Sequence, residues 1–233
     1  MSAVISLTTI PSRVDHMEPA LNSLLRQGYP VYLWIQKETK RTGATLGELP
    51  AFLSTTKANV AIVEDRGPIT KFLPAYEAGF DVIMTADDDH VYGPGWADRL
   101  IKWSEYRPGV AICYRGRNFD STKLYNRSKI ITGVHLPVDF ITSVSGVIYR
   151  RGFFDPSISE EWKLWPMNDD IVVCAHLRKR GIPMEVVPFP TGCYLKRLPI
   201  VHVDAISKIN VGGKRKARTY NDDGLDKLFW VNP

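Results

Sequence analysis

The chain has 233 residues, of which 44% are hydrophobic and 24% are charged, values that are ordinary for a globular domain. Its three cysteines are too far apart in sequence for a zinc knuckle or a redox motif, which indicates a reducing compartment. No apolar run reaches the length of a membrane span, and the N-terminus lacks the pattern of a secretory signal. We therefore expect a cytoplasmic protein.

The net charge of +5 is concentrated in one short basic segment. Five basic residues and no acid lie between positions 207 and 218, namely Lys208, Lys214, Arg215, Lys216 and Arg218. Such a cluster favours a phosphate-bearing ligand or an anionic membrane surface, although a solvated tail would have the same composition. Because aromatic residues are not interleaved with these charges, we do not expect a nucleic-acid partner.

The predicted elements alternate strands with helices along the chain. The predicted strands are 3–7, 31–35, 59–63, 81–85, 109–114, 144–149 and 184–187. The predicted helices follow Asp15, which with Glu18 forms a capping-box pattern, then cover about 69–78, the stretch after Gly95, and 169–180. The polar stretch 115–139 is expected to be irregular and to cover a site. This order is typical of an α/β protein with a mostly parallel central sheet flanked by helices.

Asp87, Asp88 and Asp89 follow directly after a predicted buried strand. Side chains alternate along extended backbone, so Asp87 and Asp89 should share one side, with Asp88 and His90 on the other. Two carboxylates on one side suit Mg²⁺ or Mn²⁺, and ligands of open α/β sheets bind at this end of the strands. The alternative is an acidic turn whose carboxylates only cap a helix.

Three segments resemble motifs of GT-A glycosyltransferases. Residues 84–89, followed by Pro94, resemble their DxD region, and residues 145–155 resemble their acceptor-side segment. Residues 168–171, with Leu177 and Gly181, resemble their ED motif, although Asp169 replaces the usual Glu and His176 stands where many relatives carry Arg. The order and spacing of these motifs cover most of residues 3–187, and residues 65–71 look most like small viral and bacterial members.

This resemblance implies a Rossmann-like GT-A fold and a set of site residues. We expect one domain, 1–233, with a donor-binding half at about 1–114, an acceptor-side half at about 115–206 and a flexible basic segment at about 207–233. The implied metal ligands are Asp87, Asp89 and His202, and the implied base is Asp170, with Asp169 second. The implied donor-binding residues are Thr8, Thr9, Pro11, Arg13, Asp65, Lys71, Asp87, Asp88, Lys214 and Arg215.

The function implied is a Mn²⁺- or Mg²⁺-dependent glycosyl transfer from a nucleotide-diphosphate sugar, such as a UDP-sugar. The acceptor would be a glycan or another hydroxyl compound, and an Asp base would give inversion, although retaining enzymes share the motif. Two alternatives stay open: a nucleotidyltransferase of related fold, and a non-catalytic domain that binds nucleotides or sugars. A membrane contact through the basic segment is a further expectation.

Overall fold

A computed structural model describes residues 2–40, 42–199 and 220–231 of the chain. The strands are, in chain order, β1 (Ala3–Thr9), β2 (Val31–Gln36), β3 (Glu38–Thr39), β4 (Ala44–Thr45), β5 (Asn59–Val63), β6 (Val82–Ala86), β7 (His90–Tyr92), β8 (Ala111–Cys113), β9 (Arg115–Asn118), β10 (Lys129–Thr132), β11 (Leu136–Pro137), β12 (Phe140–Ile141), β13 (Val147–Arg150), β14 (Met184–Val186) and β15 (Leu195–Arg197). The helices are α1 (Glu18–Leu25), α2 (Phe52–Thr55), α3 (Leu73–Glu77), α4 (Trp96–Tyr106), α5 (Ile158–Glu161), α6 (Asp169–Lys179) and α7 (Tyr220–Gly224), which continues as a π-helical turn over Leu225–Phe229.

The largest sheet has eight strands in the order β11-β14-β8-β13-β6-β1-β2-β5. Neighbouring strands from β6 to β5 are parallel, as are β14 and β8. The strand β13 runs antiparallel between β6 and β8, and β11 is antiparallel to β14. The prediction of an α/β fold with a mostly parallel central sheet flanked by helices is therefore confirmed.

Apolar side chains cover both faces of this sheet. Val4 of β1 and Ile83 of β6 pack in one cluster of buried residues, whereas Ile5 and Met84, one position further along, pack in the other. The helix α6 contributes to the first cluster, and α1 and α4 contribute to the second. Strands buried on both faces explain the short continuous apolar runs of the sequence.

The antiparallel strand β13 determines which residues share an edge with Asp87. Val147 at its start pairs with Thr85 near the end of β6, and Arg150 at its end pairs with Val82. The start of β13 therefore lies at the edge where β6 ends. The short 3-10 turn Ser143–Ser145, which precedes β13, is brought to the same edge.

The structure differs from the predicted elements in three places. The helix α1 begins at Glu18 after Met17 and has no side-chain cap, because Asp15 lies in a separate 3-10 turn, Val14–His16; the capping-box prediction was wrong. The stretch 115–139, predicted as irregular, contains β9 and β10, which form an antiparallel three-stranded sheet with the following strand β12. The helix predicted at 69–78 is divided into a 3-10 turn, Gly67–Lys71, and α3.

Within the ranges that the structure describes, no helix combines the length and apolar character that a membrane span requires.

Candidate active site

The pairing of β1 with β6 aligns the two loops from which the candidate site is built. Leu7 lies beside Ala86 in a parallel register, so two residues further along Thr9 lies near Asp88. The Thr9 hydroxyl donates a hydrogen bond of 2.7 Å to Asp88 Oδ2, and Arg13 Nη1 lies 3.2 Å from Asp88 Oδ1. Burial raises the pKa of Asp88, and the charge of Arg13 and the hydrogen bond from Thr9 reduce this increase without cancelling it. Asp88 thus joins the ends of the two strands.

Asp87, Asp89 and His90 form a potential cation site. One ligand atom from each lies within 4.8 Å of the other two. Two ligand atoms that bind one cation, each at about 2.0–2.6 Å, lie at most about 4–5 Å apart, so these three atoms are close enough to share a cation. The prediction that His90 points away from the two aspartates was wrong, since its Nδ1 lies 2.6 Å from Asp89 Oδ1. His202, the implied third ligand, is outside the described residues.

The hydrogen bond between Asp89 and His90 determines which imidazole nitrogen can bind a ligand. An ionised carboxylate can only accept a hydrogen bond, so Nδ1 donates to Asp89 and a neutral ring keeps its lone pair on Nε2. Burial alone would raise the pKa of Asp89, but the hydrogen bond from His90 and the charges of His90 and Arg13 hold it below its usual value. Asp89 is therefore ionised at neutral pH.

Lys71 connects the aspartate loop to the helix α6. Its Nζ lies 2.9 Å from Asp87 Oδ1, 3.1 Å from Asp169 Oδ2 and 2.9 Å from the Ser143 hydroxyl. The lysine side chain is buried. Burial alone would lower the pKa of Lys71, but the carboxylates of Asp169 and Asp87 raise it well above its usual value, so the residue is a cation. This ammonium offsets the repulsion between the two groups of carboxylates.

Asp169 and Asp170 occupy the first turn of α6, whose N-cap is Asn168. The Asn168 side chain accepts a hydrogen bond of 3.2 Å from Ile171 N, which leaves both aspartates free of the capping role. Asp170 Oδ1 accepts a hydrogen bond of 3.0 Å from Ser143 N. Burial, together with the nearby charge of Asp169, raises the pKa of Asp170 to about 7. A carboxylate with that pKa is a much stronger proton acceptor than an exposed one.

These groups line one cleft of about 540 Å³ at the edge of the sheet. The predicted site residues that line it are Thr8, Thr9, Arg13, Asp65, Lys71, Asp87, Asp88, Asp89, Asp169 and Asp170. Pro11 is not among the lining residues, and Lys214 and Arg215 lie outside the described residues. A cleft of this size accommodates a small-molecule ligand of the size of a nucleotide.

Two of the predicted donor-binding residues also have structural partners. The carboxylate of Asp65 accepts hydrogen bonds from Lys40 N at 2.9 Å and from Gly67 N at 2.6 Å. The Thr8 hydroxyl donates to Trp34 O at 2.9 Å. Both side chains therefore stabilise the loops that line this part of the cleft, in addition to any ligand that they bind.

The cleft also contains polar and charged lining residues that the sequence analysis did not assign to the site. They are His90, Arg115, Arg117, Tyr125, Ser143, Asn168, Arg197 and Asn221. The alternation of Arg115 and Arg117 around Gly116 was a visible signal, because alternate residues of a strand share one face. The strand β9 was not predicted, because the stretch 115–139 is polar and has no alternation of hydrophobic residues.

No protein-family model matches the sequence, and no curated protein is significantly similar to it. Solved structures do match the fold. The crystal structure of GalNAc-T7 with UDP, GalNAc and Mn²⁺ superposes with a TM-score of 0.61 at 9% identity, over 86% of this chain and 43% of that one. The crystal structure of S. aureus TarS superposes with a TM-score of 0.56 at 11% identity, over 98% of this chain and 43% of that one.

The chain thus spans less than half the length of either matching structure. At these identities the likeness concerns the fold, and it agrees with the eight-stranded mixed sheet and with the aspartate–histidine group at its edge. The chain therefore has the GT-A-like fold of glycosyltransferases.

Proposed function

We propose that the chain is a metal-dependent glycosyltransferase that uses a UDP-sugar and transfers the sugar to a hydroxyl group of a glycan. One observation carries the proposal: a single cleft contains a potential cation site and a carboxylate with a raised pKa, joined by Lys71. The fold supports the reaction class, and the UDP, GalNAc and Mn²⁺ of the GalNAc-T7 structure support the donor class.

The donor set of Asp87, Asp89 and His90 fits a divalent cation. Carboxylates suit Mg²⁺ and Mn²⁺, and an imidazole nitrogen shifts the preference towards Mn²⁺. When bound, such a cation would neutralise part of the diphosphate charge. Arg13 would contribute positive charge on the same side, because its guanidinium lies beside Asp88 at the cleft.

Asp170 is the residue best suited to activate the acceptor. The acceptor oxygen attacks the anomeric carbon and its proton passes to the Asp170 carboxylate, while the bond from that carbon to the diphosphate breaks and the nucleotide diphosphate leaves. Attack from the face opposite the leaving group would invert the anomeric centre. Lys71 keeps the neighbouring Asp169 carboxylate compensated, which leaves Asp170 as the carboxylate whose pKa lies near neutrality.

The proposal is tested by measuring the melting temperature with UDP-, GDP-, CDP- and ADP-sugars, each with and without Mn²⁺. A ligand that binds only the native state raises the apparent stability, so we expect stabilisation by UDP-sugars that depends on Mn²⁺. Asp89→Asn should abolish this stabilisation, and Asp98→Asn, on the exposed side of α4, serves as the matched control. Stabilisation by none of the four donors would contradict the proposal.

A second measurement separates transfer from the two alternatives. A glycosyltransferase consumes a UDP-sugar and releases UDP, at a slow rate even when water is the acceptor. A nucleotidyltransferase would instead release pyrophosphate from a nucleoside triphosphate and a sugar phosphate. Binding of UDP-sugar with no release of UDP, with water or with any of a panel of glycans, would favour the non-catalytic domain.

A further inference from the structure

Two arginines that line the cleft, Arg115 and Arg117, form no direct salt bridge with a described carboxylate. Arg115 and Arg117 are alternate residues of β9, so their side chains share one face of the small sheet, and both line the cleft. The salt bridges formed within the described ranges include neither residue. A partly buried guanidinium with no directly paired carboxylate becomes more favourable when a ligand supplies an anionic partner.

The hydrogen bonding of the two guanidinium groups is also incomplete. The Nε atoms of both arginines are buried and have no partner among the described residues. Arg117 is held in place through Nη1, which donates to Tyr125 O at 3.3 Å and to the Ser128 hydroxyl at 3.0 Å. Its guanidinium also lies 4.2 Å from the centre of the Tyr125 ring. The Arg115 side chain, in contrast, forms no hydrogen bond within the described part of the chain.

The two arginines lie close to the proposed base. The Tyr125 hydroxyl interacts electrostatically with Asp170, Arg117 and Arg115, so these groups surround one region of the cleft. The region adjoins Asp169 and Asp170 on α6, whereas Arg13 and the aspartate loop lie at the ends of β1 and β6. A group bound by the arginines would therefore lie on the side of the base.

We propose that Arg115 and Arg117 bind an anionic group of the acceptor, a carboxylate or a phosphate, so that the acceptor is an acidic glycan. The inference rests on the proposed glycosyl transfer and specifies its acceptor class. Guanidinium groups bind carboxylates and phosphates through paired hydrogen bonds, which orient the ligand as well as attract it. An anion held there would place a neighbouring hydroxyl of the same sugar towards Asp170.

The test compares binding of D-glucuronate, D-glucose 6-phosphate and D-glucose by NMR titration, with UDP and Mn²⁺ at saturation. Saturating UDP keeps the diphosphate region occupied, so the sugars report on the remaining part of the cleft. We expect at least one acidic sugar to bind about tenfold more tightly than glucose, the gain typical of one charge-assisted hydrogen-bonded pair. The stronger of the two acidic sugars identifies the anion as carboxylate or phosphate.

Arg115→Gln should remove this preference and leave the affinity for UDP within about twofold of the parent, since a factor of two is well under 1 kcal/mol. Arg115→Lys should restore part of it. Arg127→Gln is the matched control, because it removes the same charge from an exposed residue of the same acceptor-side region.

Two outcomes would overturn the inference and leave the proposed function intact. One is equal binding of acidic and neutral sugars by the parent protein while UDP still binds with Mn²⁺. The other is a loss of UDP affinity of about tenfold or more in Arg115→Gln, which would assign the arginine to the donor. A parent protein that binds no UDP would instead count against the proposed function.

Discussion

The ammonium of Lys71 lies 3.1 Å from a carboxylate oxygen of Asp169, and this ion pair connects the 3-10 turn Gly67–Lys71 to the helix that carries the proposed base. The same ammonium contacts Asp87 at 2.9 Å. Removing the cation would leave two aspartates without compensation in a partly buried position. The pair therefore matters for stability as well as for the reaction.

We expect Lys71→Met to lower the free energy of unfolding by about 2–4 kcal/mol at pH 7, slightly less than the roughly 3–5 kcal/mol for breaking a fully buried ion pair. The carboxylates keep some exposure, which is why the loss should not be larger. The loss should shrink as pH falls, because protonation of uncompensated carboxylates relieves the repulsion. Urea unfolding at pH 5 and pH 7 measures both effects.

The control for this substitution is Lys163→Met. Lys163 is exposed and pairs with Glu160 at the surface, so its removal should change the free energy of unfolding by less than about 0.5 kcal/mol. If both substitutions have the same small effect, the Lys71 bridge contributes little.

Substitutions can show whether His90 or His202 is the histidine ligand of the cation site. We expect His90→Ala to weaken Mn²⁺ binding in the presence of UDP by about tenfold or more, since it removes both a ligand and the hydrogen bond to Asp89. Isothermal titration with Mn²⁺ measures the change. His16→Ala, an exposed histidine near α1, is the control. A large effect of His202→Ala with none of His90→Ala would restore the assignment made from the sequence.

The reaction should depend on pH through Asp170. A general base acts in its deprotonated form, so turnover should fall about tenfold per pH unit below its pKa and level off above it. With a pKa of about 7, the fall should begin near neutrality, well above the usual range of an aspartate. Asp170→Asn should cut turnover by about a hundredfold or more and remove this dependence, while leaving donor affinity unchanged. A pH profile that keeps its shape in Asp170→Asn would remove this residue from the mechanism.

The close approach of Gly67 to Pro166 can be tested by substitution. This residue has φ +73°, and a Cβ atom there would lie 2.2 Å from Pro166 O. Gly43 has a similar φ of +69° but faces open space, which makes it a matched control. Gly43→Ala should cost about 1 kcal/mol of stability from backbone strain, and Gly67→Ala at least about 2 kcal/mol, because the clash adds to it. Equal melting temperatures for the two variants would show that the segment around Pro166 moves away from residue 67 without cost.

Much of the site could be predicted because it depends on strand ends. Parallel neighbours end at the same edge, so the loops after Leu7 and Ala86 had to meet, and the observed register places Thr9 against Asp88. The apolar runs of β1, β2 and β6 were visible because these strands are buried. In this part of the chain, burial and connectivity together determine the neighbours.

The prediction for His90 failed where the backbone stopped being extended. Side-chain alternation holds along a strand, but β6 ends at Ala86 and the backbone turns before β7 begins at His90. Alternation therefore could not give the direction of His90. Arg115 and Arg117 escaped notice for another reason: β9 has the sequence Arg-Gly-Arg-Asn, which offers no hydrophobic pattern, and its pairing with β10 and β12 is a tertiary effect.

The antiparallel strand β13 has a consequence for the order in which the site can assemble. Asp87 follows β6, whose neighbours β1, β2 and β5 all precede it in the chain. Asp89 and His90 also contact Arg197 of β15, and Asp169 and Asp170 lie on α6, which follows β13. A chain emerging from the ribosome would thus expose the strands that carry the three aspartates before β13 can pair with β6, and before the proposed base and Arg197 are made.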